Sequence, residues 1–448
     1  MSVAARSILY PILQEMAKAP AQKRQLPGTF EGLSGERGAG GRGGGGAVGH
    51  HGPGSLLHIP PGETSRNQRA GTMKITYVST YLPKRCGIAT YTDYLIHGIG
   101  EVDPAAEIKI VAEQGASPIK QDRLEVIAPW DRNEDYVESI ISHTKGADVV
   151  HIQHEYSIYK FDDRLPSVLQ GLDANARKVI TIHCVRPAQF SERGAVDENF
   201  AARIAKLADQ VIVHLESQRA ILARLGVPSE KMHIIPHGTE LSDEDQKASR
   251  KRLGLPAEAK ILLMFGFVKK HKCLHVVLEA LVEILEKFKD VYLFVAGGLA
   301  PTASQKDKDY AEFAGQRIVE LGLQKNVIYP NKFFPNEDVP YLFGAADIVL
   351  FPYYEEDRSA SGSFHLALGA KKPVIASRIP KFEELKDVCD ELLVLPYNSS
   401  GIAKIALRLF EDPEFRHYVL DRTEQFRQRT SWQAVARKHL ELYREEAS

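Results

Sequence analysis

Short β-branched runs alternate with segments of helical spacing along this chain, and they do so in two separate series. The first series is KITYVST (74–80), EIKIVA (107–112), LEVIAP (124–129), DVVHIQHE (148–155), KVITIH (178–183), QVIVH (210–214) and MHIIPH (232–237). Several of these runs are apolar on both faces, as strands buried in a parallel sheet are. Segments such as FAARIAKLAD (200–209) and SQRAILARLG (217–226) lie between them, and Gly226 is a natural helix stop. A polar stretch, LSDEDQKASRKRLGLP (241–256), reads as a linker. The alternation then restarts with ILLMFG (261–266), VYLFVAGG (291–298), NVIYP (326–330), DIVLFPY (347–353), PVIAS (373–377) and ELLVLP (391–396). Two successive βα series predict an α/β protein of two doubly wound, Rossmann-like domains facing each other across a cleft. Ligands of such folds sit beyond the carboxyl ends of the strands.

Composition narrows the class. The 448 residues suit two or three domains, and 44% hydrophobic with 26% charged residues is ordinary for a globular chain. A net charge of −1 supplies no general attraction to nucleic acid or to a membrane. The four cysteines (Cys86, Cys184, Cys273, Cys389) show no CxxC spacing, which predicts a reduced, cytoplasmic protein without structural zinc. No apolar run approaches the roughly 18 residues of a membrane span. The apolar segment 8–13 is short for a secretory signal and is interrupted by Pro11. Glu15 speaks against a transit peptide.

Residues 1–72 include GERGAGGRGGGGAVGHHGPG (35–54) and are expected to form a disordered Gly/Arg-rich extension. Residues 38–43 match GxGxxG, but no strand precedes them, so they carry no dinucleotide signal. Arg37 and Arg42 are too few to make an RNA-binding tract. Met73 stands directly before the first strand, and the folded part is expected to begin there. The boundaries that follow are 73–245 for the first domain, 246–430 for the second, and 431–448 for an amphipathic helix packing across their junction.

Residues 346–377 carry the clearest chemical signal. An apolar strand feeds a polar loop, Ser361-Gly362-Ser363 opens a short helix, and a second strand follows at once. Backbone N–H groups and the helix dipole at such a terminus favour an anion, and small side chains let it approach closely. The pattern predicts a phosphate-bearing ligand. Other candidates stand at strand ends. His183 closes KVITIH, and Glu155 closes DVVHIQHE. Gly87 opens a helix after the first strand, with Lys84 and Arg85 just before it. His151 and His154 resemble a metal pair, but positions three apart on a strand face opposite sides. The Asp-x-Asp spacings at Asp243/Asp245 and Asp307/Asp309 fall in charged loops and read as solvated carboxylates.

Taken in order, STYLPKRCGIATYT (79–92), HIQHEY (151–156), TIHC (181–184), IIPHG (234–238), the Lys272 region, ADIVLFPY (346–353) and SGSFHLALGAKKPVIAS (361–377) resemble the retaining, nucleotide-sugar-dependent glycosyltransferases of family 4. The likeness covers nearly all of 73–448. It implies the GT-B fold and transfer of a hexose from a nucleotide sugar to an acceptor hydroxyl with retained configuration. The acceptor, a sugar, lipid or small molecule, would occupy the first domain and the donor the second. No cofactor or obligatory metal and no nucleic acid partner are implied, and peripheral membrane contact stays open.

The resemblance assigns catalytic roles to His183 and Lys272. It assigns donor contacts to Gly87, Gly266, Lys270, Glu356, Ser361, Gly362 and Ser363, and an acceptor contact to Glu155. The family's arginine after Gly266 is Phe267 here, and Lys269 or Lys270 would supply the charge. The family's two glutamates, eight positions apart, fall on Arg358 and Leu366. Glu355, Glu356 or Asp357 would replace the first, whereas Leu366 cannot grip a ribose as the second does. An epimerase or phosphorylase on the same fold, and a non-catalytic scaffold or RNA-binding protein, are the alternatives.

Overall fold

The computed structural model describes residues 72–445 apart from Arg85, Pro301 and residues 355–357. The expectations for the extension and for Glu355, Glu356 and Asp357 lie outside the described residues. Among those described, the strands are β1 (Lys74–Ser79), β2 (Glu107–Glu113), β3 (Ile119–Lys120), β4 (Leu124–Trp130), β5 (Val149–His154), β6 (Arg177–Ile182), β7 (Cys184–Val185), β8 (Gln210–Val213) and β9 (Met232–Ile234). They continue as β10 (Lys260–Phe265), β11 (Val291–Ala296), β12 (Val327–Ile328), β13 (Ile348–Phe351), β14 (Arg358–Ser359), β15 (Val374–Ser377) and β16 (Leu393–Val394). The first eight-stranded sheet runs β3-β4-β2-β1-β5-β6-β8-β9, and the second, six-stranded, runs β12-β11-β10-β13-β15-β16. All neighbours are parallel except β3, which runs against β4. Every residue of β5 is buried, as a strand covered on both faces requires. The chain is thus two parallel α/β sheets, each with its own apolar core.

Local signals explain the helix ends. Gly226 takes φ 78° just beyond the helix Glu216–Arg224, and the next N–H, of Val227, closes back on the Leu222 carbonyl at 3.0 Å. The polar stretch 241–256 is not a free linker. Its second half is the helix Gln246–Leu253, capped by Asp245, which accepts from the Ala248 N–H, and ended by Gly254 at φ 67°. Arg250 is buried and reaches Asp347 at 2.8 Å, while Asp347 also accepts the Ile261 N–H at 2.7 Å. The inward face of this helix is held by an ion pair rather than by apolar residues, so hydropathy could not reveal it.

Besides single bonds such as the Ser217 N–H to Glu383 Oε1 at 3.1 Å, two extended contacts join the halves. Antiparallel β7 and β14 pair Val185 with Arg358 and Cys184 with Ser359, so the segment after His183 is stitched to the segment before Ser361. Lys381 secures the second of these by donating to Ser359 Oγ at 2.7 Å. The other contact is the C-terminal helix Trp432–Arg444, which returns to the first sheet. Thr239 donates its N–H to the Thr430 carbonyl at 2.8 Å, and Trp432 then packs on Tyr91 (5.1 Å, edge-on) and Tyr94 (5.4 Å, stacked). Val435, Ala436, Leu440 and Tyr443 complete an apolar cluster with Ile75, Tyr91 and Leu95. Tyr443 bonds Tyr77 at 2.9 Å and His151 at 2.5 Å. Two glycines make room: a Cβ at Gly238 would meet the Trp432 ring at 2.3 Å, and one at Gly98 would meet its carbonyl at 2.8 Å.

No helix among the described residues is long and apolar enough to cross a membrane. Removing the buried indole is expected to be costly. Trp432→Ala should lower unfolding free energy by about 3–5 kcal/mol in urea titrations. Arg437→Ala, on the exposed face of the same helix, should change it by less than about 0.5 kcal/mol.

Candidate functional site

The carboxyl ends of both sheets open on one cavity of about 560 Å³. Two helices point their N-termini into it. The helix Gly87–Val102 starts immediately after the loop from β1; Cys86 caps it through Sγ, which accepts from the Ala89 N–H at 3.4 Å and lies 3.0 Å from Thr80 Oγ1. A Cβ at Gly87 would meet nothing within 4 Å, because that position faces open space. The helix Gly362–Gly369 starts after β13 and β14 and is capped by Ser361, whose Oγ accepts from the Phe364 N–H. A Cβ at Gly362 would come within 3.6 Å of His237 Nε2, so the helix start lies against the opposite wall. Each terminus offers unpaired N–H groups and the positive end of a helix dipole. Their convergence suits a ligand carrying more than one negative charge.

The wall from the first sheet is a cluster of imidazoles. His183 and His214 stand just beyond the ends of β6 and β8, and His237 beyond β9. His183 Nε2 lies 2.7 Å from Gln153 Oε1, and its Nδ1 lies 3.0 Å from His214 Nε2. His214 Nδ1 donates to the Ile235 carbonyl at 2.9 Å. Burial holds His214 down at about 4 and His183 well below the ordinary 6.5, and the neighbouring imidazoles add to this. Both rings are therefore neutral and share two protons over three contacts. The count closes when Gln153 turns its NH₂ group to His183. Neither nitrogen of His183 is left for a substrate proton. Tyr91 meets the ring edge-on at 4.6 Å and fixes its plane. His237 donates Nδ1–H to the Gly238 carbonyl at 2.8 Å, and burial keeps it well below its ordinary value too.

Gly87, Glu155, His183, Gly362 and Ser363 line the cavity together, and Ser361 stands behind them as a cap. Gly266, Lys270 and Lys272 are not part of its wall. They follow β10 as a short turn, with Lys270 exposed and Lys272 half-buried. Lys272 Nζ lies 3.5 Å from the carbonyl of Phe265, which does line the cavity, and 5.4 Å above the Tyr353 ring. Gly266 has φ 96°, and a Cβ there would lie 2.8 Å from that ammonium, so only glycine fits. Phe267 lies beside Phe333 at 6.4 Å. Leu366 lines the cavity among Val339, Phe343 and Ala370.

Other polar groups turn to the protein. Lys84 and Arg132 both pair with the buried Glu113; burial alone would raise its carboxyl, and the two cations outweigh that and lower it. His151 bonds Thr181 at 2.7 Å on one face of β5, while His154 stacks on Tyr159 on the other. No three His, Cys, Asp or Glu side chains gather to hold a metal ion among the described residues. Asp243 pairs with Arg427 at 2.7 Å and Asp245 caps a helix. Asp307 forms a capping box with Ser304, and Asp309 accepts from Gln305. Asp243, Asp245 and Asp309 are exposed and Asp307 is partly so, as solvated carboxylates are, and each also makes a helix or tertiary contact. His214, His237, Glu240 and Trp432 also line the cavity and were not singled out from sequence. His214 carried the same strand-end signal as His183, in QVIVH, and His237 stood within IIPHG.

The neutral imidazoles imply a pH dependence. They take up protons near 6.5 once unfolded but resist them when folded. Stability is fully present above about pH 6.5 and falls as pH drops toward about 4, because the unfolded chain binds the extra protons. Melting temperatures should decline over this window, with net proton uptake on unfolding at pH 5.5. A flat profile there would contradict a neutral cluster.

Two family models match in succession. Residues 103–243 match Glycosyltransferase Family 4, and residues 245–426 match Glycosyl transferases group 1. A D-inositol 3-phosphate glycosyltransferase of Corynebacterium urealyticum is 29% identical over 259 residues, 54% of this chain and 58% of that protein. A 2-deoxystreptamine glucosyltransferase of Streptomyces kanamyceticus is 24% identical over 251 residues, 52% of this chain and 61% of that protein. The chain thus spans about three fifths of the length of these curated relatives. Among solved structures, Anabaena HepE in complex with UDP superposes with a TM-score of 0.63 at 19% identity, over 83% of this chain and 99% of that one. Sucrose-phosphate synthase from Thermosynechococcus elongatus gives 0.64 at 20% identity, over 83% and 98%. With two parallel α/β sheets in the GT-B arrangement and family models matched across both, the chain belongs to the glycosyltransferases of family 4.

Proposed function

We propose that this protein is a retaining glycosyltransferase that moves a hexose from a nucleotide-sugar donor to an acceptor hydroxyl. The observation that carries the reading is the pair of helix N-termini, at Gly87 and Gly362, opening on one cavity. A sugar diphosphate placed there meets N–H groups from both sides, with the Lys272 ammonium behind Phe265. HepE has been crystallised with UDP and with UDP-glucose, which makes UDP-glucose the first donor to try. The names of the two relatives, with inositol phosphate and 2-deoxystreptamine, support a small polyhydroxylated acceptor.

In this reading the bond from the anomeric carbon to the leaving phosphate oxygen breaks, and the acceptor oxygen bonds to that carbon on the same face. The acceptor proton passes to the leaving phosphate oxygen, so no protein base is needed. That agrees with a His183 whose nitrogens are both engaged. His183 then acts as a wall that orients the sugar, and positioning supplies much of the rate. Glu155 accepts the Ser157 N–H through Oε2 at 2.7 Å, and its Oε1 is the group for an acceptor hydroxyl. Amides and one ammonium meet the diphosphate charge without a metal.

The test is turnover of UDP-glucose against a panel of polyol acceptors, with the anomeric configuration of the product read by NMR. An axial product from an axial donor is expected. Lys272→Ala should lower turnover by more than about tenfold with the melting temperature preserved. Undiminished turnover would remove Lys272 from the mechanism, and an inverted product would remove the retaining one.

A further inference from the structure

Leu366 puts an apolar side chain on the cavity wall where the resemblance places a ribose-gripping glutamate. It sits three residues before Gly369 on the helix Gly362–Gly369, so the two share a face. Gly369 is where that helix meets the segment 239–243. A Cβ there would lie 1.9 Å from the Glu240 carbonyl oxygen, so the segment packs directly on the helix. The segment is pinned along its length. Thr239 is fully buried and bonds Thr430 at 2.8 Å and His365 at 3.0 Å. The Ser242 N–H donates to the Gly369 carbonyl at 3.1 Å, and Arg427 donates to the same carbonyl at 2.7 Å.

On this rigid segment Glu240 and Ser242 both line the cavity. Ser242 Oγ is buried and has no hydrogen-bond partner. The Glu240 carboxylate is half-buried, and no described residue pairs with it by hydrogen bond or ion pair. The titratable neighbours facing it are Tyr94 and Glu101, neither of which offers a positive charge. Burial and Glu101 together raise its carboxyl above the ordinary range. An unpaired carboxylate held in a cavity is unfavourable without a partner. Two adjacent hydroxyls are a suitable partner, since a carboxylate accepts from both at once.

We propose that Glu240, assisted by the Ser242 hydroxyl, grips a vicinal diol of the donor and so supplies the recognition that Leu366 cannot. The inference rests on the nucleotide-sugar reading above. Two diols are chemically equivalent here, the ribose of the nucleotide and the hexose itself.

The experiment measures affinity by calorimetry for the tightest binder among UDP, ADP and GDP, for its 2′-deoxy counterpart, and for its glucose conjugate. Wild type, Glu240→Ala and Glu240→Gln are compared, with melting temperatures confirming the fold. Wild type is expected to favour the ribonucleotide over the 2′-deoxy form by about tenfold, and Glu240→Ala to lose that preference. If the variants instead lose only the gain from the attached glucose, Glu240 grips the hexose diol, which also supports the proposal. Preferences unchanged in both variants would overturn it while leaving the donor site intact. Failure of wild type to bind any of the nucleotides would overturn the nucleotide-sugar reading itself, and this proposal with it.

Discussion

The seat of Trp432 on Gly238 holds the site together. The indole lies where any side chain at position 238 would have to be, and it also packs on Tyr91 and Tyr94 of the helix that begins at Gly87. One aromatic ring therefore ties the end of the chain to a helix near its start and to the segment leaving β9. That segment carries His237, Thr239 and Glu240, and the helix carries Gly87. Interiors pack at crystal-like density, so loss of such a ring cannot be absorbed by small local shifts. Both walls of the cavity would loosen.

The electrostatics of the cavity follow from what is neutral and what is already paired. Burial keeps His183, His214 and His237 uncharged, so the imidazole wall offers shape and hydrogen bonding but no positive charge. Arg186 is paired with the buried Asp197 at 2.8 Å, and Lys84 with Glu113. The attraction for an anion thus comes mainly from peptide dipoles at two helix starts, which need no reorganisation when a ligand arrives. Fixed backbone donors suit a diphosphate better than mobile side chains do, because their geometry is set when the chain folds.

Much of this was legible in the chain itself. Strand residues such as those of β10 and β13 are so largely apolar that composition and length alone identify them, and the small residues around Gly362 mark a helix start after a strand. Other parts were hidden for identifiable reasons. The helix Gln246–Leu253 is anchored by the Arg250–Asp347 ion pair, and a buried arginine looks like a surface residue to any hydropathy rule. The two-residue strands β7 and β14 have no periodicity to detect; their pairing exists because two distant loops meet. Glu240 falls between the run ending at His237 and the polar stretch from Leu241, and nothing local distinguishes a solvated carboxylate from one facing a cavity.

Residue order by itself determined the two βα series, the small residues at the helix starts and the family to which they correspond. These depend on interactions within a few neighbours, which sequence spacing encodes directly. Only the tertiary structure decided that the last helix returns to the first sheet, that His183 spends both nitrogens on Gln153 and His214, and that Glu240 stands unpaired on the cavity wall. Such facts depend on which groups exclude water from one another across hundreds of residues, and no local pattern carries that information.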